Sequence, residues 1–231
     1  MRKTLFVASA LALAIAAPLA HAHQAGDIIV RAGAVTVDPR EDSGNLKDDA
    51  GSIPGTGATL DSNTQLGLNF AYMVTDKLGV ELLAATPFTH TVGLKGVDAA
   101  LGAPAGTIDG AFAEVTHLPP TLSAVYYPLG GNSAFKPYVG AGLNYTVFFD
   151  EKLEDRQKNN GFKSVSLDSS VGLAFQVGAD YMLNDKLMIN AQVRYIDIAT
   201  KATVADDWGD KVTVDVDVDP MVYMVGLGYK F

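Results

Sequence analysis

Residues 220–231 read Pro-Met-Val-Tyr-Met-Val-Gly-Leu-Gly-Tyr-Lys-Phe. The odd positions, Met221, Tyr223, Val225, Leu227, Tyr229 and Phe231, are all apolar or aromatic, while Gly226, Gly228 and Lys230 are small or polar. A period of two belongs to a strand, whose successive side chains point to opposite faces; a helix repeats about every 3.6 residues. One face of this strand therefore seeks an apolar medium. A soluble sandwich supplies that medium as a core, and an outer-membrane barrel supplies it as lipid.

The rest of the chain separates these two architectures. The same alternation predicts strands over Asp27–Val37, Thr64–Met73, Leu78–Phe88, Leu118–Tyr127, Lys136–Phe149, Leu167–Tyr181, Leu187–Thr200 and Thr213–Phe231. Between them lie long polar connections at Asp38–Asp61, Thr91–Val115, Asp150–Ser164 and the stretch running through Trp208. Short turns alternate with these at Thr75–Lys77, Pro128–Ala134 (with Gly130-Gly131-Asn132) and Leu183–Lys186. Within the third long connection, Glu151–Lys158 is expected to form a helical turn closed by Gly161. A sandwich explains the residue alternation but not the strict alternation of loop length. The pattern predicts an all-β, eight-stranded antiparallel transmembrane barrel with long extracellular loops and short periplasmic turns. Tyr72 and Tyr181 each precede a short turn, in the similar segments Tyr72–Leu78 and Tyr181–Leu187, where an interfacial aromatic belongs.

The N-terminus carries an export address. Arg2 and Lys3 precede an apolar run from Leu5 to Leu19, and Ala20-His21-Ala22 has the small-x-small form of a cleavage site. Residues 1–22 are read as a signal peptide and residues 23–231 as a single barrel domain, bound for the outer membrane of a Gram-negative cell. After Ala22 no apolar stretch approaches the roughly 20 residues of a membrane-spanning helix. Without Arg2 and Lys3, the 17 basic residues fall by two against 26 acidic ones, and the net charge deepens from −9 to −11. Nucleic acid, which binds basic surface, is excluded as a partner. With no cysteine, disulfides and thiolate metal sites are excluded as well.

The last strand also reports on the interior. Its upper part reads Thr213-Val214-Asp215-Val216-Asp217-Val218-Asp219. In a constant register Asp215, Asp217 and Asp219 face outward, and Val214, Val216, Val218, Val222 and Met224 face inward. The strand before it changes in the same way, from Asn190, Gln192 and Arg194 to Ile196 and Ile198. The strand that reaches Phe88 passes from Glu81 to Leu83 and Ala85. The lumen is expected to be polar toward the short turns, with Arg31, Glu81, Arg194 and Lys230 as an ion-pair plug. Toward the long loops it is expected to be apolar. A bulge at Pro220 would reverse the register and turn the valines outward.

Several segments together resemble the OmpW family of bacterial outer-membrane proteins. They are Ala85-Thr86-Pro87-Phe88, Leu118-Pro119-Pro120-Thr121-Leu122, Pro137–Thr146 with Phe148-Phe149-Asp150, Tyr195-Ile196-Asp197-Ile198, Val218-Asp219-Pro220 and Gly228-Tyr229-Lys230-Phe231. The resemblance implies a hydrophobic channel that opens outward, is closed toward the periplasm, and releases small hydrophobic molecules sideways through a gap in the wall. Pro87 matches the family proline associated with that gap. Proline lacks the N–H that a ladder bond needs, so Pro87, Pro119 and Pro120 are expected to loosen one seam as a lateral gate, unless they only end strands at the membrane edge. The chain departs from the family in carrying Val171, Arg194 and Met221 where members often have Trp, and Arg194 bears on the channel floor.

These readings lead to a passive channel whose ligand path is lined by Val35, Val37, Leu83, Ala85, Ile196, Ile198, Val216, Val218, Val222 and Met224. No cofactor and no metal is expected. Expected partners are outer-membrane lipids and lipopolysaccharide, small hydrophobic solutes, and the assembly machinery, which reads the C-terminal strand. One alternative is a structural or adhesion barrel acting through its loops. The other is a lipid-modifying enzyme using His90 or His117. Neither histidine lies near a serine in a recognisable motif, and both are read as solvent-exposed rim residues.

Overall fold

The computed structural model describes residues 23–129 and 133–231. The segment read as a signal peptide, residues 1–22, and the tip Gly130-Gly131-Asn132 lie outside the described residues. Strands form at each of the eight expected places, β11 running on to Leu153 and several others broken as described below. In chain order they are β1 (Ile28–Asp38), the short β2 (Asp42–Ser43), β3 (Lys47–Asp48), β4 (Gly51–Ser52) and β5 (Gly57–Leu60), then β6 (Asn63–Met73), β7 (Leu78–Ala85) and β8 (Phe88–Lys95). Helix α1 (Val97–Leu101) leads to β9 (Gly110–Leu118), β10 (Thr121–Tyr126) and β11 (Phe135–Leu153). Helix α2 (Asp155–Asn159) is followed by β12 (Phe162–Leu167), β13 (Ser170–Met182), β14 (Leu187–Ile196), β15 (Ala199–Asp206), β16 (Lys211–Asp217) and β17 (Met221–Lys230).

Eight of these strands form a closed antiparallel ring in the order β10-β7-β6-β1-β17-β14-β13-β11, with β11 returning to β10. The first and last strands close it, from Ile29 opposite Lys230 to Asp38 opposite Met221. Closure leaves no strand edge within the ring, which the bilayer interior requires because it holds no water to satisfy a free N–H or C=O. Gly33 faces Gly226 on one side and Gly67 on the other. A Cβ on Gly33 would collide with the Val225 carbonyl, so these strands approach closely only because the row is glycine.

The outer face of the ring is the apolar set read from the sequence. Val225, Leu227, Leu143, Val171, Leu173, Phe175 and Val177 are all more than half exposed. Tyr72, Tyr126 and Tyr229 are exposed near the short turns, at the level of an aromatic girdle.

Several expected strands prove to be interrupted. Leu78–Phe88 breaks at Thr86-Pro87, and Leu118–Tyr127 breaks at Pro119-Pro120, because proline cannot donate to a neighbour. Leu187–Thr200 breaks at Asp197-Ile198, and the final strand breaks between Asp217 and Met221. There Asp219 adopts a φ of 38°, accepting hydrogen bonds from Tyr195 Oη at 2.8 Å and the Ile198 amide at 3.2 Å. The interruption leaves the parity unchanged, since Val218 and Val222 on either side of it are both buried.

The long connections are not irregular loops. They contain β2–β5, β8, β9, β12, β15 and β16, which pair with one another above the ring, as in β5 with β8 and β15 with β16. Their Gly- and Asp-rich composition hid strands whose partners are distant in sequence. The helical turn also lies later than expected. Glu151–Leu153 continue β11, and α2 covers Asp155–Asn159 ahead of Gly161, whose φ is +93°.

The exposed face makes a direct prediction. Val225 is 62% exposed on β17, so Val225→Arg places a charge against lipid. Urea unfolding in lipid vesicles should show a loss of up to about 2–4 kcal/mol, the range for arginine near the bilayer midplane. An unchanged midpoint would mean that this face does not contact lipid.

Candidate functional site: an apolar lumen above an ion-pair floor

Inside the ring, β1 carries Arg31 to the centre of the lower lumen, where it is fully buried. Its Nε donates to Asp180 Oδ1 at 2.9 Å and its Nη2 to Asp180 Oδ2 at 2.6 Å, a bidentate pair. Nη1 donates to Asn69 Oδ1 at 3.0 Å and Glu81 Oε2 at 3.2 Å, and Nη2 also reaches Tyr127 Oη at 2.7 Å. The guanidinium lies 5.4 Å from the Tyr138 ring centre. Arg194 Nη2 donates to Glu81 Oε1 at 2.8 Å and to Gln176 Oε1, and Gln176 Nε2 donates to Glu81 Oε1 at 2.8 Å. Asn190 Nδ2 donates to Asp180 Oδ1 at 2.8 Å and Tyr138 Oη at 3.0 Å.

Two arginines thus face two carboxylates across the barrel. Buried charge costs several kcal/mol per ion unless it is paired and hydrogen-bonded. Both arginines are paired, Arg31 through all three nitrogens and Arg194 through Nη2, with its Nε and Nη1 buried without a partner. Arg31, Glu81 and Arg194 form one network, as grouped from the sequence. Lys230 is placed elsewhere: its Nζ lies 3.5 Å from Asp27 Oδ2 near the short-turn rim. Sequence reasoning missed Asp180, Asn69, Tyr127 and Gln176 as members. Their inward parity was visible, but parity does not say which inward residues meet across the lumen.

Above this floor the lining changes. Val35, Leu83, Ile196, Val222 and Met224 are each no more than 5% exposed and belong to one continuous apolar cluster. Val37, Ile198, Val214, Val216 and Val218 extend it upward, and Leu46, Leu94, Phe112 and Leu153 from the long connections complete it. Ala85 packs against the same cluster half-buried.

The interior is a chain of small cavities rather than an open funnel. The outermost, among Leu46, Ile53, Val97, Ile108, Phe162 and Val212, has about 180 Å³ of free room. The next shares Leu94, Phe112 and Val204 with it and has about 40 Å³. The innermost shares Leu60, Leu167 and Val218 with the second and has about 20 Å³.

At this inner level the pairing of one seam is interrupted, between Leu83 opposite Thr121 and Phe88 opposite His117. β7 pairs with β10 only from Leu78 opposite Tyr126 to Leu83 opposite Thr121. Beyond it the chain turns at exposed Pro87 into β8, which pairs with β5 and β9. Ala84, Ala85, Leu118, Pro119, Pro120, Val147 and Phe149 surround a recess of about 540 Å³ there. The Asn144 side chain fixes its lower edge, with Nδ2 donating to the Pro119 carbonyl at 3.0 Å and the Pro120 carbonyl at 3.2 Å.

His90 on β8 and His117 on β9 lie above the ring, and the expectation of solvent-exposed rim histidines is corrected: they are 2% and 5% exposed. Their rings stack 5.0 Å apart, and His117 lies 5.6 Å from Phe88 and 5.7 Å from Phe148. The alternation that carries the apolar lining upward also turns these two side chains inward. Burial, opposed by contacts with Asp61, holds His90 below its ordinary pKa. Burial and the neighbouring His90 lower His117 to about 3. Among the described residues, no group of three or more His, Asp or Glu side chains is arranged to hold a metal ion.

The chain matches the OmpW family over residues 24–231. It is 43% identical over 231 residues to outer membrane protein W of Vibrio cholerae, with both chains fully covered. The crystal structure of outer membrane protein OprG from Pseudomonas aeruginosa matches with a TM-score of 0.85 at 51% identity, covering 92% of this chain and 99% of that one. A more distant relative is the dibenzothiophene metabolism operon protein PahQ of Pseudomonas aeruginosa. It is 27% identical over 180 residues, 78% of this chain and 77% of its own.

Two predictions follow from the site. Asp180→Asn leaves Arg31 without its bidentate partner, and unfolding in lipid vesicles should show a loss of about 3–5 kcal/mol, as for other broken buried pairs. The histidines set a pH dependence. Their folded pKa values lie below the ordinary 6.5, so the unfolded chain binds protons first as pH falls. Their contribution is complete above about pH 6.5 and is lost below it, by up to about 1.4 kcal/mol per pH unit for each histidine. A His90→Phe, His117→Phe double variant should show a flatter stability profile between about pH 6.5 and about pH 5, before carboxylates titrate.

Proposed function

This chain belongs to the OmpW family of outer-membrane barrels, and on that premise we propose that it is a passive, non-enzymatic conduit for small hydrophobic molecules. The observation that carries the reading is a coincidence of level. The apolar lining stops at the floor built on Arg31 and Glu81, and just above that floor the wall loses its β7–β10 pairing at Leu83. A solute that has entered from outside meets buried charge below and an apolar recess beside it.

The energetics favour the sideways path. Transfer of apolar surface out of water is favourable by about 25 cal/mol per Å², so a solute burying about 150 Å² gains about 4 kcal/mol in the lumen. Going on through the floor would separate Arg31 from Asp180 and Arg194 from Glu81, at several kcal/mol for each ion. Leaving past Pro87, Pro119 and Pro120 crosses the stretch where β7 and β10 are already unpaired, as prolines with no N–H to donate favour. The cavities of about 180, 40 and 20 Å³ require side chains such as Phe112 and Phe148 to move as a solute passes. Movement down a gradient into the bilayer needs no cofactor. The name of the relative PahQ, with its dibenzothiophene metabolism operon, supports an aromatic cargo. Within the same reading, the exposed Phe231 and Tyr229 at the strand end suit recognition by the assembly machinery.

The test is uptake of p-xylene by cells with and without the protein, beside cells carrying Pro87→Ala. The protein should accelerate uptake. Pro87→Ala, which restores an N–H at the seam, should slow it several-fold at equal protein level. Equal uptake in all three strains would sink the conduit.

A further inference from the structure

The throat of the lumen is apolar except at His90 and His117. The other residues around the inner cavity include Val37, Leu60, Val115, Phe148, Ile198 and Val218. His90 Nδ1 lies 2.6 Å from the Asp61 carbonyl oxygen, which only accepts, so Nδ1 carries the proton and donates it. Its Nε2 is therefore left as a lone-pair acceptor. That atom is buried and has no partner, and the same holds for His117 Nδ1. A buried acceptor with nothing to accept is costly, whereas one that receives a hydrogen bond contributes favourably.

The cavity beside the histidines exposes apolar atoms alone, so a donor reaches Nε2 by displacing the packing around it, as a solute does elsewhere in the lumen. About 20 Å³ is room for one water-sized group and not for a second ring or chain. The apolar cavity above it, which shares Leu60, Leu167 and Val218, has room for more. On the adjoining strands, Leu118 and Phe149 follow His117 and Phe148 in sequence and border the lateral recess. The histidine pair therefore sits between the apolar path and the side exit.

We propose that His90 and His117 form a binding site for hydrophobic alcohols, phenols above all, with the ligand hydroxyl donating to His90 Nε2 and the apolar body lying in the lumen above. This rests on the conduit reading and adds a substrate preference to it. Both imidazoles are neutral near pH 7, as their lowered pKa values require, so the acceptor is available at neutral pH. A phenol suits the site because its hydroxyl is a good donor and its ring, lying in the cavity above, meets Leu94 and Phe112.

The matched probes are p-cresol and p-xylene, which differ by a hydroxyl in place of a methyl group. The full-length mature protein, labelled with ¹⁵N-histidine in lipid nanodiscs, is titrated with each. Both should bind, p-cresol about fivefold more tightly, as one net hydrogen bond gives. Only p-cresol should move the His90 Nε2 resonance toward the hydrogen-bonded position. His90→Phe should abolish the preference while p-xylene still binds, and His117→Phe should reduce it. p-Xylene binding with no preference for p-cresol would overturn the hydroxyl site and leave the conduit standing. So would a His90 Nε2 resonance already hydrogen-bonded and unmoved by p-cresol, the mark of a resident water. Failure of both probes to bind would overturn the conduit as well. The resonance shift in the unsubstituted protein decides the matter even where a variant fails to fold.

Discussion

The pairing of Arg31 with Asp180 and Glu81 is the constraint on which the rest of the interior depends. A guanidinium buried in a membrane-spanning barrel has no water to fall back on. It must find carboxylates and hydrogen-bond acceptors elsewhere, and it draws them from β6, β7 and β13 and from Tyr127, which follows β10. These contacts tie opposite walls together and fill the lower lumen. A barrel of eight strands has little interior to spare, and side chains of this size close it to water.

With the bottom closed, the upper lumen takes on its character. The same strands that supply charge below supply valine, isoleucine and leucine above, so one wall serves two media. The outer surface follows the opposite order: apolar against lipid below, and acidic above, where Asp215 meets Lys47 at 2.8 Å. The prolines then decide where the wall is weak. β7 and β10 remain joined up to Leu83 and separate where Pro87 and Pro119-Pro120 interrupt both sides of the seam. A closed floor, an apolar throat and an interrupted seam thus lie close together in the barrel.

Much of this was legible from alternation alone. The eight strands of the ring, the lipid face, the inward valines of the last strand and the central arginines all follow from a period of two, which needs only neighbouring residues. The misreadings share one cause. The connections look like loops in sequence because their Gly- and Asp-rich stretches lack local periodicity, yet β5 pairs with β8 and β15 with β16 through registers that no local pattern shows. Lys230 shares its parity with the plug but pairs with Asp27 at the rim, because height along the barrel is set by strand stagger. His90 and His117 lie near expected loop ends, which suggests a solvent-exposed rim, whereas the strands continue above the membrane and keep their inner face dry.

The sequence by itself determined that the chain is a barrel, which face meets lipid, and that the interior passes from polar to apolar. Those properties depend on which side of a strand a residue occupies, and the order of residues records that directly. Tertiary structure alone decided which inward residues touch: Arg31 with Asp180, Arg194 with Glu81, His90 with His117. It also decided that the pairing of one seam is interrupted between Leu83 and Phe88, and that the lumen narrows to a cavity of about 20 Å³ beside two histidines with unpartnered ring nitrogens. The physical reason is that contacts across a barrel depend on the shear between strands, and shear is a property of the closed ring that no single segment carries.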